Sequence, residues 1–145
     1  MFLGTYLVSV TSGKRVSIPV GFREELGRDL VMAQWYEECL VLVGKSSLKT
    51  LLERMTAARG PVVEPVRQTE HFIFASSFEV NPDDQGRIVL PDRLIAYAGL
   101  KEQIYFLGVG DRVEIWNKEI WEVREKEVAK DAAKYLEELA KKDVK

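Results

Sequence analysis

The chain carries one cysteine and one histidine, shows no surplus of positive charge, and has no apolar run of the roughly 18 residues that a bilayer crossing needs. Each shortage removes a class of function. Cys39 alone cannot form an internal disulfide, so a disulfide-stapled scaffold is excluded and a reducing, cytoplasmic location is expected. His71 has no cysteine or carboxylate cluster at ligand spacing, so neither a metal nor a cofactor is expected. A Cys39–His71 dyad lacks a third orienting group, and Cys39 lies within an apolar run, where a thiol packs as a small hydrophobe. No acid, base and nucleophile converge elsewhere, so the chain reads as a non-enzyme. The first residues lack the basic flank and long apolar stretch of a signal peptide, and no membrane partner is expected. The formal net charge of −2 runs against a domain that is basic overall. A polyanionic partner would have to meet positive charge concentrated on one face.

What the chain does have is a duplication. Gly13-Lys14-Arg15-Val16-Ser17-Ile18-Pro19 is echoed by Gln85-Gly86-Arg87-Ile88-Val89-Leu90-Pro91, with Arg15 and Arg87 72 residues apart. Phe22 and Leu94, Leu26 and Ala98, and Gly27 and Gly99 keep the same spacing, so a whole supersecondary unit is doubled. Later matches, Leu30 to Met32 with Ile104 to Phe106 and Cys39 to Leu42 with Val113 to Trp116, stand 74 residues apart. The extra residues fit a turn, where insertions cost little. Units of about 45 residues bury too little surface to stand alone, so the halves are expected to share one core.

In the first half, Tyr6, Val8 and Val10 alternate up to a polar turn, Thr11 to Lys14, and Val16 and Ile18 alternate beyond it; the pattern predicts a local hairpin. Pro19 opens a short helix with Phe22 and Leu26 on one face, and Leu30 to Ala33 with Cys39 to Val43 predict a second hairpin. Ser46 or Ser47 caps a helix that turns Leu48, Leu51, Leu52 and Met55 inward and ends at Gly60-Pro61. Residues 61–68 are Pro-rich and polar and read as the connection, and His71 to Ala75 reads either as a helix end or as an early start of the next strand. The second half repeats the order. Asn117 then caps a long final helix whose Trp121, Val128, Ala132, Tyr135 and Leu139 form one stripe, a solvated face or a seam between subunits. The expected divisions are two repeats, residues 5–47 and 76–119, a connecting helical segment, 48–75, and a C-terminal helix, 120–145.

Such short strands are marginal in isolated hairpins. Interleaving the halves about a pseudo-two-fold axis buries Val16, Ile18, Ile88 and Leu90 against one another, and the same symmetry sets the Arg15 and Arg87 turns side by side. The two arginines have different surroundings. Arg87 follows Asp83 by four residues, so it either pins its turn by an ion pair or contacts a ligand. Arg15 has Thr11 at that place and Lys14 beside it, and two adjacent cations without a carboxylate favour a phosphate or guanine partner.

Met1-Phe2-Leu3-Gly4, the doubled turn-Arg-strand-Pro, Glu114-Ile115-Trp116 and the Trp121 helix together resemble the MraZ family, bacterial transcriptional regulators built from two AbrB/SpoVT-type repeats. The resemblance runs from Met1 to about Glu127. It implies an α+β fold: a pseudo-two-fold duplicated swapped-hairpin small β-barrel with flanking helices and the long C-terminal helix. It also implies double-stranded DNA as partner, a closed, octamer-like ring of subunits, a cytoplasmic, nucleoid-associated location, and control of a cell-division and cell-wall gene cluster. Arg15, Arg23 and Arg87 carry over as DNA contacts, whereas the position matching Arg23 in the second half is Ile95. Arg15 and Arg87 are expected at bases or the groove edge, and Lys14 and Arg23 on the backbone.

The family turn, Asp-x-x-x-Arg with Gly before the Arg, stands whole in the second copy as Asp83 to Arg87 with Gly86. In the first copy Thr11 replaces the Asp and Gly13-Lys14 reverses the usual order, which shifts the expected positive-φ residue by one. A ring needs a heterologous interface and repeats its loops in one direction, so direct repeats are its natural target. The alternative is an AbrB-type protein-interaction module, an antitoxin-like partner binder that reads no promoter itself.

Overall fold

In the computed structural model, which describes residues 1–143, the order strand, strand, helix, strand, strand occurs twice. It runs first as β1 (Phe2–Ser9), β2 (Arg15–Ser17), α1 (Val20–Leu26), β3 (Leu30–Gln34) and β4 (Leu40–Gly44). It returns as β5 (Phe78–Val80), β6 (Arg87–Val89), α4 (Asp92–Ala98), β7 (Gln103–Gly110) and β8 (Val113–Asn117). Helices α2 (Lys45–Met55) and α3 (Glu64–Ile73) lie between the two runs, and α5 (Lys118–Asp143) follows the second.

Six strands form one antiparallel sheet in the order β1-β7-β8-β4-β3-β5, and β2 pairs with β6 in a separate ribbon. One face of the sheet carries Leu30, Met32, Leu40, Leu42, Ile104, Phe106 and Ile115 against the ribbon, α1 and α4. The other face carries Val31, Ala33, Val41 and Val43 against Leu48, Leu51 and Leu52 of α2 and Ile73 of α3. Burial on both faces explains why β3 and β4 read as unbroken apolar runs rather than alternating ones. Val16, Ile18, Ile88 and Leu90 are all buried under the ribbon.

The predicted local hairpin of β1 with β2 does not form. The chain does reverse at the turn, where the Thr11 amide donates to the Arg15 carbonyl at 2.8 Å. Yet β1 pairs along its whole length with β7 of the other half, from Phe2 opposite Gly110 to Ser9 opposite Gln103. Correspondingly, β5 pairs with β3 and not with β6. An eight-residue ladder satisfies far more backbone groups than three-residue β2 could, and backbone groups in a core must be satisfied.

Smaller departures have local causes. Helix α2 starts at Lys45, directly from β4, so Gly44 and not Ser46 or Ser47 is its N-cap, and it ends at Met55 well before Gly60-Pro61. Met55 is exposed. Part of the supposed connection is α3, which takes Pro65 in its first turn, where a missing N–H costs nothing, and buries Val66 and Ile73; His71 lies within it. Pro19 sits just outside α1 as its N-cap. Asn117 caps α5 as expected, its Oδ1 accepting the Ile120 amide at 2.9 Å. Beyond Trp121 the α5 stripe has no cover among the described residues: Val128, Tyr135 and Leu139 are exposed, as is Leu136 beside them. Among the described residues no helix is long and apolar enough to cross a membrane.

Candidate nucleic-acid interface

The β2–β6 ribbon brings the two arginine loops to one surface. Its register sets Arg15 opposite Val89, Val16 opposite Ile88, and Ser17 opposite Arg87. Residues directly opposite share a face, as do residues two apart on one strand. Arg15, Ser17, Arg87 and Val89 therefore point outward together, while Val16 and Ile88 point into the core. The diagonal between the Arg15 and Arg87 α-carbons in such a ladder is about 7–8 Å. Two reciprocal bonds tie the loops to the ribbon. The Ile18 amide donates to the Gly86 carbonyl at 2.9 Å, and the Leu90 amide donates to the Lys14 carbonyl at 2.8 Å.

The second loop is held from within by Asp83. Its carboxylate accepts the amides of Gln85 and Arg87 and the Arg87 Nε, each at 2.9 Å. The Arg87 amide, and after it the Arg87 guanidinium and the Gln85 amide, hold the Asp83 carboxyl below the usual aspartate range. Gly86 takes φ 76° and lets the chain turn into β6. Arg87 thus pins its own turn, and one nitrogen of its fork is committed there.

The first loop is built differently. Thr11 cannot offer a carboxylate; its hydroxyl bonds the Arg15 carbonyl at 3.1 Å. The positive-φ position has not moved. Lys14 takes it at φ 59°, matching Gly86, and Gly13 adds a second positive value at 81°. Among the described residues Arg15 has no carboxylate at ion-pair distance, and it is exposed. Lys14 pairs with Asp92 at the start of α4.

Arg23, the third carried-over residue, stands behind the second loop. It is half-buried, its Nε donates to the Ile18 carbonyl at 2.7 Å, and its guanidinium lies over Gly86. Two residues were not singled out from sequence. Arg28 reaches Asp84 of the second loop at 3.3 Å, and Asp92 holds Lys14. Asp92 follows Pro91 in the first turn of α4, a favoured place for an acid, which was the available signal.

Away from the loops, the Cys39 thiol donates to the Tyr36 carbonyl at 3.2 Å, and burial, with the nearby Glu114 carboxylate, pushes its ionisation far above the usual thiol range. It is no nucleophile. Among the described residues no group of histidine, cysteine and carboxylate side chains is arranged to hold a metal ion.

Comparison with known proteins agrees with this architecture. A family model described as "MraZ protein, putative antitoxin-like" matches residues 73–143. A transcriptional regulator MraZ of Acetivibrio thermocellus is 38% identical over 123 residues, 84% of this chain and 85% of that protein. The chain belongs to the MraZ family. The MraZ regulator of Caldanaerobacter subterraneus subsp. tengcongensis is 35% identical over 141 residues, 97% of this chain and 94% of that protein, and the one of Carboxydothermus hydrogenoformans is 36% identical over 122 residues, 83% and 84%. For a MraZ chain, the altered first loop is a change of chemistry within a kept turn: Lys14 supplies a cation where the second loop has Gly86, and Thr11 supplies a hydroxyl where it has Asp83.

Proposed function

We propose that this protein is a sequence-specific DNA-binding transcriptional regulator that reads direct repeats upstream of a cell-division and cell-wall gene cluster as a ring-shaped, octamer-like oligomer. The observation that carries the reading is the shared outward face of Arg15 and Arg87 on the β2–β6 ribbon. Two arginines on one face of a two-stranded ribbon suit a groove of B-DNA, where arginine engages guanine O6 and N7 through paired bonds. Lys14 beside them suits a phosphate. The net charge of −2 is no obstacle to a ring, because many modest basic faces on one assembly multiply the contacts to one duplex.

The crossed strands β1 on β7 and β5 on β3, with β2 on β6, support a swapped-hairpin duplication of the AbrB/SpoVT type, with repeats over residues 5–47 and 76–119. In that reading the ribbon closes a small barrel through packed side chains. Exposed Leu3 and Leu7 on edge strand β1, and Leu136 and Leu139 on α5, supply the unlike surfaces that a ring interface requires. A cytoplasmic, nucleoid-associated location follows from the same reading.

A mobility shift on a duplex carrying direct repeats, with Arg15→Ala and Arg87→Ala as controls, tests it. Binding at low salt, weakened by either substitution, is expected. No shift at low salt would sink the reading in favour of the second one, an antitoxin-like module that acts through a partner protein and uses the uncovered stripe of α5.

A further inference from the structure

The two loops are braced differently: two side chains of the first half reach the second loop, whereas among the described residues one side chain of the second half, Asp92, reaches the first loop by pairing with Lys14. Arg23 and Arg28, on and just after α1, reach across to Gly86 and Asp84. The positions 72 residues on from them are Ile95 and Leu100, which cannot make such bonds. The clefts beside the two loops also differ in size. The cleft between the two arginines and the second loop holds about 150 Å³, whereas the cleft beside the first loop, lined by Thr11, Ser12, Lys14, Ile95 and Leu100 among others, holds about 750 Å³.

Arg23 closes a circuit. Its Nε donates to the Ile18 carbonyl, the Ile18 amide donates to the Gly86 carbonyl, and a Cβ added to Gly86 would stand 2.4 Å from that same Nε. The guanidinium therefore packs directly on the Gly86 α-carbon, and only glycine allows it. Gly86 immediately precedes Arg87, so whatever fixes its peptide planes fixes the start of β6 and the direction of the Arg87 side chain. At Gly13 of the first loop nothing stands within 4 Å of an added Cβ.

The geometry points to Arg23 as a positioning residue: it holds the second loop in one form from behind and does not grip phosphate, so the second loop presents Arg87 rigidly while the first loop adapts to the duplex. This rests on the DNA-binding reading, but it makes a separate claim about loop order in the free protein. A rigid reader discriminates by geometry, because a mismatched base leaves it unable to re-form its bonds; an adaptable loop tolerates more.

The test uses the full chain and two measurements. In the first, binding to a direct-repeat duplex is followed by fluorescence anisotropy over a salt series. Removing one cation from a phosphate makes the slope of log K against log[salt] shallower by about 0.9. Lys14→Ala is expected to show that change. Arg23→Ala and Arg23→Lys are both expected to weaken binding about tenfold with the wild-type slope, since lysine keeps the charge but lacks Nε and the flat face that rests on Gly86. In the second measurement, amide hydrogen exchange without DNA is expected to accelerate about tenfold at Gly86 and Arg87 in both Arg23 variants and to stay unchanged at Lys14 and Arg15. A slope shallower by about 0.9 in Arg23→Ala, wild-type affinity in Arg23→Lys, or unchanged exchange at Gly86 and Arg87 overturns the proposal. If the wild-type protein bound no duplex, the DNA reading would fail, while the exchange data would still decide whether Arg23 orders the loop.

Discussion

Gly108 marks a place where the two halves of the chain cross closely, and its substitution gives a quantitative test of that crossing. Strand β1 lies across it, with Gly4 opposite Gly108, and a Cβ added there would stand 2.4 Å from the Leu3 nitrogen, 2.5 Å from the Phe2 carbonyl carbon and 2.8 Å from that of Leu3. All three are backbone atoms, so no rotamer change can relieve Gly108→Ala. If β1 stays paired, the overpacking costs about 1–3 kcal/mol. If residues 1–3 peel away instead, the burial of Phe2, about 1.5–3 kcal/mol, is lost. The edge-on contact of Phe2 with Phe22 at 5.8 Å goes too, worth about 0.5–1.5 kcal/mol. So do the ladder bonds toward Val109 and Gly110, at about 1 kcal/mol each. Against these, freed backbone returns about 1–2 kcal/mol per residue. The first route costs about 2 kcal/mol and the second nets about 1 kcal/mol once three residues are freed, so a loss of about 1–2 kcal/mol, or roughly 2–8 °C in Tm for a chain of this size, is expected. Urea unfolding at fixed protein concentration measures it, with Gly60→Ala, which meets open space, as a neutral control. A Gly108→Ala protein within about 0.5 kcal/mol of wild type, with its Leu3 and Gly4 amides still protected, would refute the packing of β1 on β7 described above.

Gly86→Ala should cost about 1 kcal/mol for the left-handed backbone and a further 1.5 kcal/mol or so for the charged hydrogen bond of the displaced Arg23, so in an Arg23→Ala background it should cost only the first part; additive losses in a double-mutant cycle would argue against contact. Glu114, buried in β8, accepts the Trp116 Nε1 and the Arg112 Nε at 2.9 Å, and Glu114→Ala should lose about 3 kcal/mol by stranding both donors, while Glu114→Gln, which keeps an acceptor, should lose less in the same unfolding assay. Because the folded Asp83 carboxyl is held below its usual range, its contribution to the second loop is fully present above the ordinary aspartate pKa and is lost as pH falls through the lowered one. The Arg87 amide resonance followed by NMR down the acid limb should move with a midpoint below that of an unperturbed aspartate, and a midpoint at the ordinary value would contradict the hydrogen-bonded turn.

Much of the fold was legible because local pattern and tertiary burial agree. The alternation of Val16 and Ile18 with Arg15 and Ser17, and of Ile88 and Leu90 with Arg87 and Val89, predicted which side chains the ribbon buries. What local pattern could not specify was the partner of β1. A polar turn between alternating strands signals a reversal, and the reversal is there, but a strand's alternation is satisfied equally by any antiparallel neighbour, and only the length of β7 makes it the better one. Helix α3 was hidden for a different reason: Pro65 within it and Pro61 just before it look like a linker until Val66 and Ile73, seven residues apart, are seen to be buried, Ile73 against the sheet.

The same limit applies at the site, where the duplication itself hid a difference. Aligning the halves reports Ile95 opposite Arg23 as a contact present once and missing once, which invites reading the surviving arginine as an extra grip on DNA. Seen in place, Arg23 and the Gly86 it rests on come from opposite halves of the chain. Residues of α1 lie behind the second loop and residues of α4 behind the first, so a substitution in one half of the chain acts on the loop of the other. Ile95 and Leu100 stand beside the first loop where Arg23 and Arg28 stand beside the second, and Thr11 stands where the second loop has Asp83, so among the described residues the Lys14–Asp92 pair is the first loop's one side-chain tie to the opposite half. Arg87, pinned by Asp83 and backed through Gly86 by Arg23, is built to demand one geometry of its partner, and Arg15, exposed and without a carboxylate beside it among the described residues, is built to accept several.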